Sequence, residues 1–397
     1  MNISYNFLKK NFLIYLFNSL SIIFTYILII ICFHHLDKEN FFVFTGFIAI
    51  LNIFIIPINS MSIGLSRLDK REYFEQINKI FYGLLFLTLI FTLINFTLYD
   101  ILNINNLLKM SKNHLFFLIL ITFSYSIYNL NISKYLKEKK YERYSFSSFL
   151  PFFIRVFLLI FTIIYFKKIN FNHIIFIYLV SFLYFFNFKI IFKKKYFLFY
   201  KKNFFLKKEF INNFLSISII TLILNLDILI ARNVNIEVSN DYYIASLYAK
   251  ILILSSVFIM PYIYKLNLKS KIEFKQIATF NLLINISLII FYYFYLTSLH
   301  KILFQNTNID QNLVLKICFF CLIFSISLNI SNRVSIITSF HLIAKFILLI
   351  IFILIFIFST NITINILIEK FSILSICFLF VDFFFYLKNF STKLNLK

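Results

Sequence analysis

The stretch Lys189 to Glu209, KIIFKKKYFLFYKKNFFLKKE, places eight lysines between two apolar territories of nearly equal length. A helix rising about 1.5 Å per residue needs about 20 apolar residues to cross a bilayer core of about 30 Å. Six segments before this seam satisfy that rule: Phe12 to Phe33, Phe41 to Ile63, Ile80 to Tyr99, Leu115 to Ser133, Ser145 to Phe166 and Phe171 to Phe192. Six more follow it: Phe210 to Ala231, Tyr242 to Tyr264, Ile277 to Leu299, Leu313 to Ile330, Val334 to Phe358 and Ile362 to Leu387. The chain therefore reads as an all-α polytopic membrane protein of about 12 transmembrane helices in two six-helix bundles, 1–192 and 210–397, joined by a basic linker, 193–209.

Composition supports this reading. The chain is 61% hydrophobic and only 14% charged, with a mean hydropathy of +0.88. Soluble domains are roughly half apolar and about a quarter charged. Phe, Ile, Lys, Asn and Tyr are abundant, whereas Gly and Pro number three each and Trp is absent. This skew is expected of an AT-rich genome choosing among similar residues, so lysine counts are discounted and arginine is the better witness. Only six of the 39 basic residues are arginines: Arg67, Arg71, Arg143, Arg155, Arg232 and Arg333. The first apolar run exceeds a signal-peptide core and lacks a small-residue cleavage site, so it is read as the first span.

Lys and Arg in short loops set topology. With the N-terminus inside, 26 fall in inside segments and 7 in outside ones. Genome-wide lysine drift would load both sides alike, so the asymmetry predicts that both termini and the linker are cytoplasmic. A single cysteine at Lys201 in a cysteine-free variant is expected to resist an impermeant maleimide applied to whole cells. Efficient labelling from outside would overturn the topology.

Four cysteines lie in or beside apolar runs, where a free thiol behaves as a small hydrophobe. Cys318 and Cys321 form a CxxC, but a zinc site needs about four ligands and no second pair follows at suitable spacing. Gly46, Gly64 and Gly83 belong to no GxxxxGK[ST] phosphate loop, so neither ATP hydrolysis nor any cofactor is expected.

The halves carry traces of an internal repeat. Asp37 precedes Pro57 by 20 residues, in DKENFFVFTGFIAILNIFIIP, and Asp241 precedes Pro261 by 20, in DYYIASLYAKILILSSVFIMP. Duplicated bundles with a site between them are a common transporter plan. Proline lacks an N–H and its ring clashes with the preceding turn, so Pro57 and Pro261 are candidate hinges.

Charges within spans are the candidate site residues, because each costs roughly 2.5 to 3.5 kcal/mol to insert and usually faces a cavity or a partner. Arg155, in the fifth span, and Lys345, in the eleventh, fall near the midplane, and Lys250 lies in the outer third of the eighth. Snorkelling or contact with backbone carbonyls is the alternative for each. Lys316 starts the tenth span and can snorkel. Asp227, near the outer end of the seventh span, can pair with Arg232 or Lys250. Glu369 lies deeper in the last span than Asp382 and is a candidate proton carrier. Of six histidines, only His341 lies within a span, one turn before Lys345; the others read as surface imidazoles.

The run NLDILIARNVNIEVSNDYYIASLYAKIL, Asn225 to Leu252, resembles the hallmark of bacterial polysaccharide flippases of the O-antigen type, within the multidrug and oligosaccharidyl-lipid exporter superfamily. There an Asn-x-Asp near the outer end of the seventh helix is followed by a short loop and a Tyr-x-x-Ala opening the eighth. Here those positions are Asn225, Asp227, Tyr242 or Tyr243, and Ala245. The segment LDKENFFVFTGFIAILNIFIIP, followed by SIGLSRL with Arg67, is similar to the family's early helices. The resemblance implies a MATE-like pair of bundles around a central cavity that opens alternately inward and outward. It implies an undecaprenyl-diphosphate-linked oligosaccharide as cargo, membrane lipids and glycan polymerase or assembly proteins as partners, and the bacterial inner membrane as location. No nucleic-acid partner is expected. A diphosphate headgroup calls for cations in a low-dielectric cavity, which makes Arg155, Lys250, Lys345 and Arg67 the candidate substrate-binding residues, with Asp227 and Glu369 in coupling or structural ion pairs. A cation-coupled exporter of the same fold would be expected to hold acidic cavity residues, whereas here mid-span cations outnumber carboxylates; a membrane-embedded polymerase would be expected to display a long outside loop, and none is present.

Overall fold

The computed structural model describes residues 5–60, 70–98, 110–138, 140–183, 208–265, 271–304, 309–334, 340–357 and 363–391. Arg67 and nearly all of the predicted linker lie outside the described residues. Among the described residues the chain forms twelve α-helices and no strand. In the first half these are α1 (Tyr5–His35), α2 (Lys38–Phe54), α3 (Lys70–Leu98), α4 (Lys112–Lys137), α5 (Tyr141–Phe166) and α6 (Phe171–Leu183). The second half contributes α7 (Lys208–Ala231), α8 (Ile236–Lys265), α9 (Lys271–Phe304), α10 (Gln311–Val334), α11 (Phe340–Ile357) and α12 (Ile364–Ser391). Each overlaps one predicted span. Seven helical stretches are long and apolar enough to cross a membrane, and four more are shorter apolar helices. The remaining helix, α8, carries the buried Lys250.

Helices are the economical solution here, because a bilayer core offers no water to backbone N–H and C=O groups and a helix satisfies them internally. The outward faces confirm the solvent. On α5, Phe157, Ile160, Phe161 and Ile164 lie exposed at helical spacing, as do Leu283, Ile286, Ile290 and Phe294 on α9. Such continuous apolar stripes exceed what a soluble surface tolerates and suit lipid. The chain is a multi-pass membrane protein.

The chain divides into two compact units, Met1–Ile217 and Ser218–Lys397. The division falls inside α7, beyond the basic linker. In the first unit α1 packs along α5, and α4 contacts α2, α3, α5 and α6. In the second unit α10 is the hub, touching α8, α9, α11 and α12. Small residues explain this. Lipid tails match any apolar side chain, so association in a membrane relies on close backbone approach and interhelical hydrogen bonds. Cys318, Cys321 and Ser325 are fully buried on α10, and Ala245, Ala249 and Ser256 recur on α8 at helical spacing, all fully buried. The four cysteines are free thiols, and those in the CxxC serve as packing residues. Ser256 Oγ and Ser325 Oγ meet at 2.5 Å. Asn281 and Asn285 of α9 donate to Ser256 Oγ at 2.6 Å and Ser325 Oγ at 2.7 Å, closing a three-helix hydrogen-bond network.

The Asp-to-Pro repeat is only half realised. Asp37 is the N-cap of α2, accepting from Asn40 N–H at 2.6 Å, which satisfies one of the orphan donors of a helix start. α2 breaks at Ile55, two residues before Pro57, and helix resumes over 56–60. Asp241 instead lies inside α8, which begins earlier because Asn235 caps it by accepting from Val238 N–H at 2.7 Å. α8 runs through Pro261 without interruption.

Candidate functional site

The third proline, Pro151, sits inside α5. It removes the N–H that would bond the carbonyl of Ser147, and the hydroxyl of Tyr128 on α4 donates to that carbonyl instead. This staple joins α4 to α5 beside a cavity of about 420 Å³ within the first unit, with Asn59, Tyr125, Asn129, Tyr144, Ser148 and Arg155 among its lining.

Arg155 is 6% exposed. Its Nε donates to Ser181 Oγ at 3.0 Å, and Ser181 Oγ donates onward to Tyr178 O at 2.8 Å. The guanidinium lies over the rings of Tyr178, Phe182 and Phe152, at 4.1, 4.5 and 5.1 Å from their centroids. Ring faces stabilise a cation by roughly 0.5 to 2 kcal/mol each, and they leave the positive charge in place. No carboxylate pairs with Arg155 among the described residues. Beside it, Tyr125 Oη and Asn129 Nδ2 both donate to Asn59 Oδ1 at 2.6 Å. Asn129 is buried, and its Oδ1 has no hydrogen-bond partner among the described residues. The cavity thus offers a cation, an acceptor and several phenols, a set able to bind an anionic, hydroxyl-rich ligand.

The two lysines are placed differently. Lys250 donates to Asp227 Oδ1 and to Leu224 O, both at 2.8 Å. Asp227 is 0% exposed and also accepts from Ile228 N–H at 2.8 Å and from Tyr242 Oη at 2.9 Å. Asn225 is satisfied locally, donating to Thr221 O at 2.7 Å. The Asn-x-Asp and Tyr-x-x-Ala positions therefore build a pin between α7 and α8, with Tyr242 as the tyrosine that reaches Asp227. Hydrogen bonds to charged groups contribute about 1.5 to 3 kcal/mol. Tyr242→Phe is expected to lower stability by about that amount, read as reduced thermal unfolding temperature in detergent; an unchanged midpoint would contradict the pin.

Lys345 donates to Asp382 Oδ2 at 2.7 Å and to Ser327 Oγ at 3.0 Å. Sequence reading places Asp382 near a span end and overlooks it as a partner, because 37 residues separate it from Lys345. Glu369 is exposed on α12, and Arg67 is outside the described residues. Lys316 is exposed and donates to Asn365 Oδ1 at 3.1 Å. His300 departs from expectation: it is buried at the end of α9, with Nδ1 at 3.3 Å from Tyr248 Oη. The cavity residues Tyr125 and Asn129 escaped sequence reading, though their i, i+4 spacing puts them on one face of α4.

These geometries belong to a known architecture. No family model matches the chain, and no curated protein sequence matches it. The fold is nevertheless shared by solved transporters. A structure of the lipid II flippase MurJ, in an inward closed conformation, is similar over 96% of this chain and 87% of that one, with a TM-score of 0.65 and 15% identity. A MATE structure in complex with MaD3S aligns over 96% of this chain and 95% of the other, with a TM-score of 0.62 and 13% identity. An outward-facing multidrug resistance MATE family transporter of the MOP superfamily gives 0.57 at 14% identity, covering 96% and 94% of the two chains. At such identities the likeness is one of fold, and the fold is MATE-like.

Proposed function

We propose that this protein is a flippase that moves an undecaprenyl-diphosphate-linked oligosaccharide across the bacterial inner membrane by alternating access, with both termini cytoplasmic. One observation carries the reading: Arg155 is a buried guanidinium with no carboxylate partner among the described residues, and it lines a cavity rich in phenol and amide groups. A buried charge is costly unless paired, and an anionic headgroup would supply the missing partner. Sugar hydroxyls would find Asn129 Oδ1 and the tyrosine hydroxyls. Lys250 and Lys345 are already neutralised by Asp227 and Asp382, so Arg155 is the substrate contact among these three cations, and Asp227 a structural partner. The fold shared with a protein described as a lipid II flippase is consistent with a lipid-linked cargo. A cation-coupled exporter is the second reading, favoured by the fold shared with multidrug transporters and opposed by the sign of the cavity's charge.

The deciding experiment reconstitutes the purified protein in proteoliposomes carrying a fluorescent undecaprenyl-diphosphate oligosaccharide. Translocation of the lipid without efflux of a cationic dye is expected, and dye efflux without lipid translocation would overturn the reading. In the same assay Pro57→Ala and Pro261→Ala are expected to slow translocation while leaving folding intact. Unchanged rates in both would make these prolines passive.

A further inference from the structure

The second unit contains two buried lysine–aspartate pairs, and they are not built alike. Asp227 uses both oxygens: Oδ1 accepts from Lys250 Nζ and Ile228 N–H, and Oδ2 from Tyr242 Oη. Asp382 holds its two closest donors on one oxygen, and Ser331 stands near the carboxylate as a further donor. Ser327 Oγ, at 2.6 Å, and Lys345 Nζ, at 2.7 Å, both donate to Oδ2. Oδ1 has no hydrogen-bond partner among the described residues, although Asp382 is 0% exposed. Lys345, 1% exposed, also donates to Ser327 Oγ and lies 5.1 Å from the centroid of the Phe378 ring.

The difference decides which carboxylate can take a proton. Hydrogen bonds to the charged form hold a carboxylate ionised, and burial opposes it. Protonating Asp227 would disturb a group whose two oxygens are both occupied by donors. A proton can add to Asp382 Oδ1 without breaking any bond on Oδ2, and it would relieve a half-satisfied polar group in a low-dielectric interior, the expensive condition for such networks. The ammonium left behind would keep Ser327 and the face of Phe378. Other titratable or charged groups on the packed elements are His341 on α11, whose Nε2 lies 3.1 Å from Ser331 Oγ, and Arg333 at the end of α10, over the Phe274 ring at 5.6 Å. On α12, Glu369 is exposed, Lys370 lies over Phe356 and Tyr386 stands against Phe274.

We propose that Asp382 Oδ1 is a proton-binding site, and that a proton there leaves Lys345 as an uncompensated cation inside the second unit. The proton comes from water and adds to an oxygen lone pair; no other bond forms or breaks.

The test uses the full chain in lipid nanodiscs. Infrared difference spectra between mildly acidic and mildly alkaline buffer are expected to show a protonated-carboxyl C=O stretch. That band should vanish in Asp382→Asn, shift in Asp382→Glu and persist in Asp227→Asn and His341→Gln. The glutamate variant keeps the carboxyl and covers the case in which asparagine prevents folding. Absence of the band, a band that survives in Asp382→Asn, or a band unmoved by Asp382→Glu would overturn the inference while leaving the flippase reading standing.

Discussion

Arg155→Ala is expected to abolish surface glycan display in a flippase-null strain, after normalisation to protein in the membrane, without destabilising the fold. Each charge-assisted hydrogen bond to a phosphate contributes about 1.5 to 3 kcal/mol, so loss of a two-pronged contact weakens binding by about a hundredfold or more. Arg155→Lys should retain part of the function, because charge survives and the planar fork does not. The stability readout separates this from a structural role. Arg155 is buried without a carboxylate partner among the described residues, so truncating it removes a desolvated charge, and the thermal midpoint should hold or rise, as often happens when a functional group is removed from its site. Lys316→Ala, at an exposed ammonium, is the control and should change little. Full display by Arg155→Ala would remove the cationic cavity from the mechanism.

Lys250→Ala is expected to act in the opposite way, through folding. It strands Asp227 at 0% exposure, and breaking one side of a buried pair costs about 3 to 5 kcal/mol. The variant should accumulate poorly and unfold at lower temperature. Replacing both partners, Asp227→Asn with Lys250→Met, should recover most of the loss, because well-packed neutral groups of similar volume often substitute for a buried ion pair. Were Lys250 a substrate contact, the single variant would be stable and the double variant inactive. Thermal unfolding of the wild type, the single variant and the double variant, with transport measured on each, distinguishes the two outcomes.

The helices were legible because hydrocarbon imposes a length and a composition on every span, and twelve apolar runs of that length are visible without any long-range information. Arg155 was legible for a compositional reason: in a chain where lysine is abundant, a mid-span arginine stands out. The Lys250–Asp227 pair was legible as one of two alternatives, because the residues end and open neighbouring spans. The partner of Lys345 was less accessible: Asp382 lies 37 residues away, and helix packing, which one sequence does not specify, brings the two together. Depth set Arg155 and Lys345 together near the midplane and Lys250 nearer the outer end, whereas among the described residues the two lysines have carboxylate partners and Arg155 does not. The two Asp-to-Pro stretches differ for a local reason: Asn235 offers α8 an earlier start, leaving Asp241 within the helix and Pro261 in an unbroken one.

The pairing also fixes how the molecule feels the cell's voltage. One elementary charge carried across the full membrane potential gains or loses about 2.3 kcal/mol per 100 mV. The lysine pairs of the second unit carry no net charge and are nearly indifferent to that field while both partners stay ionised. Arg155 is not: an inside-negative potential draws its guanidinium toward the cytoplasm whenever the cavity is empty. On the proposed reading an anionic cargo would cancel the pull on binding, so the field would act chiefly on the unloaded protein and bias the direction in which it resets.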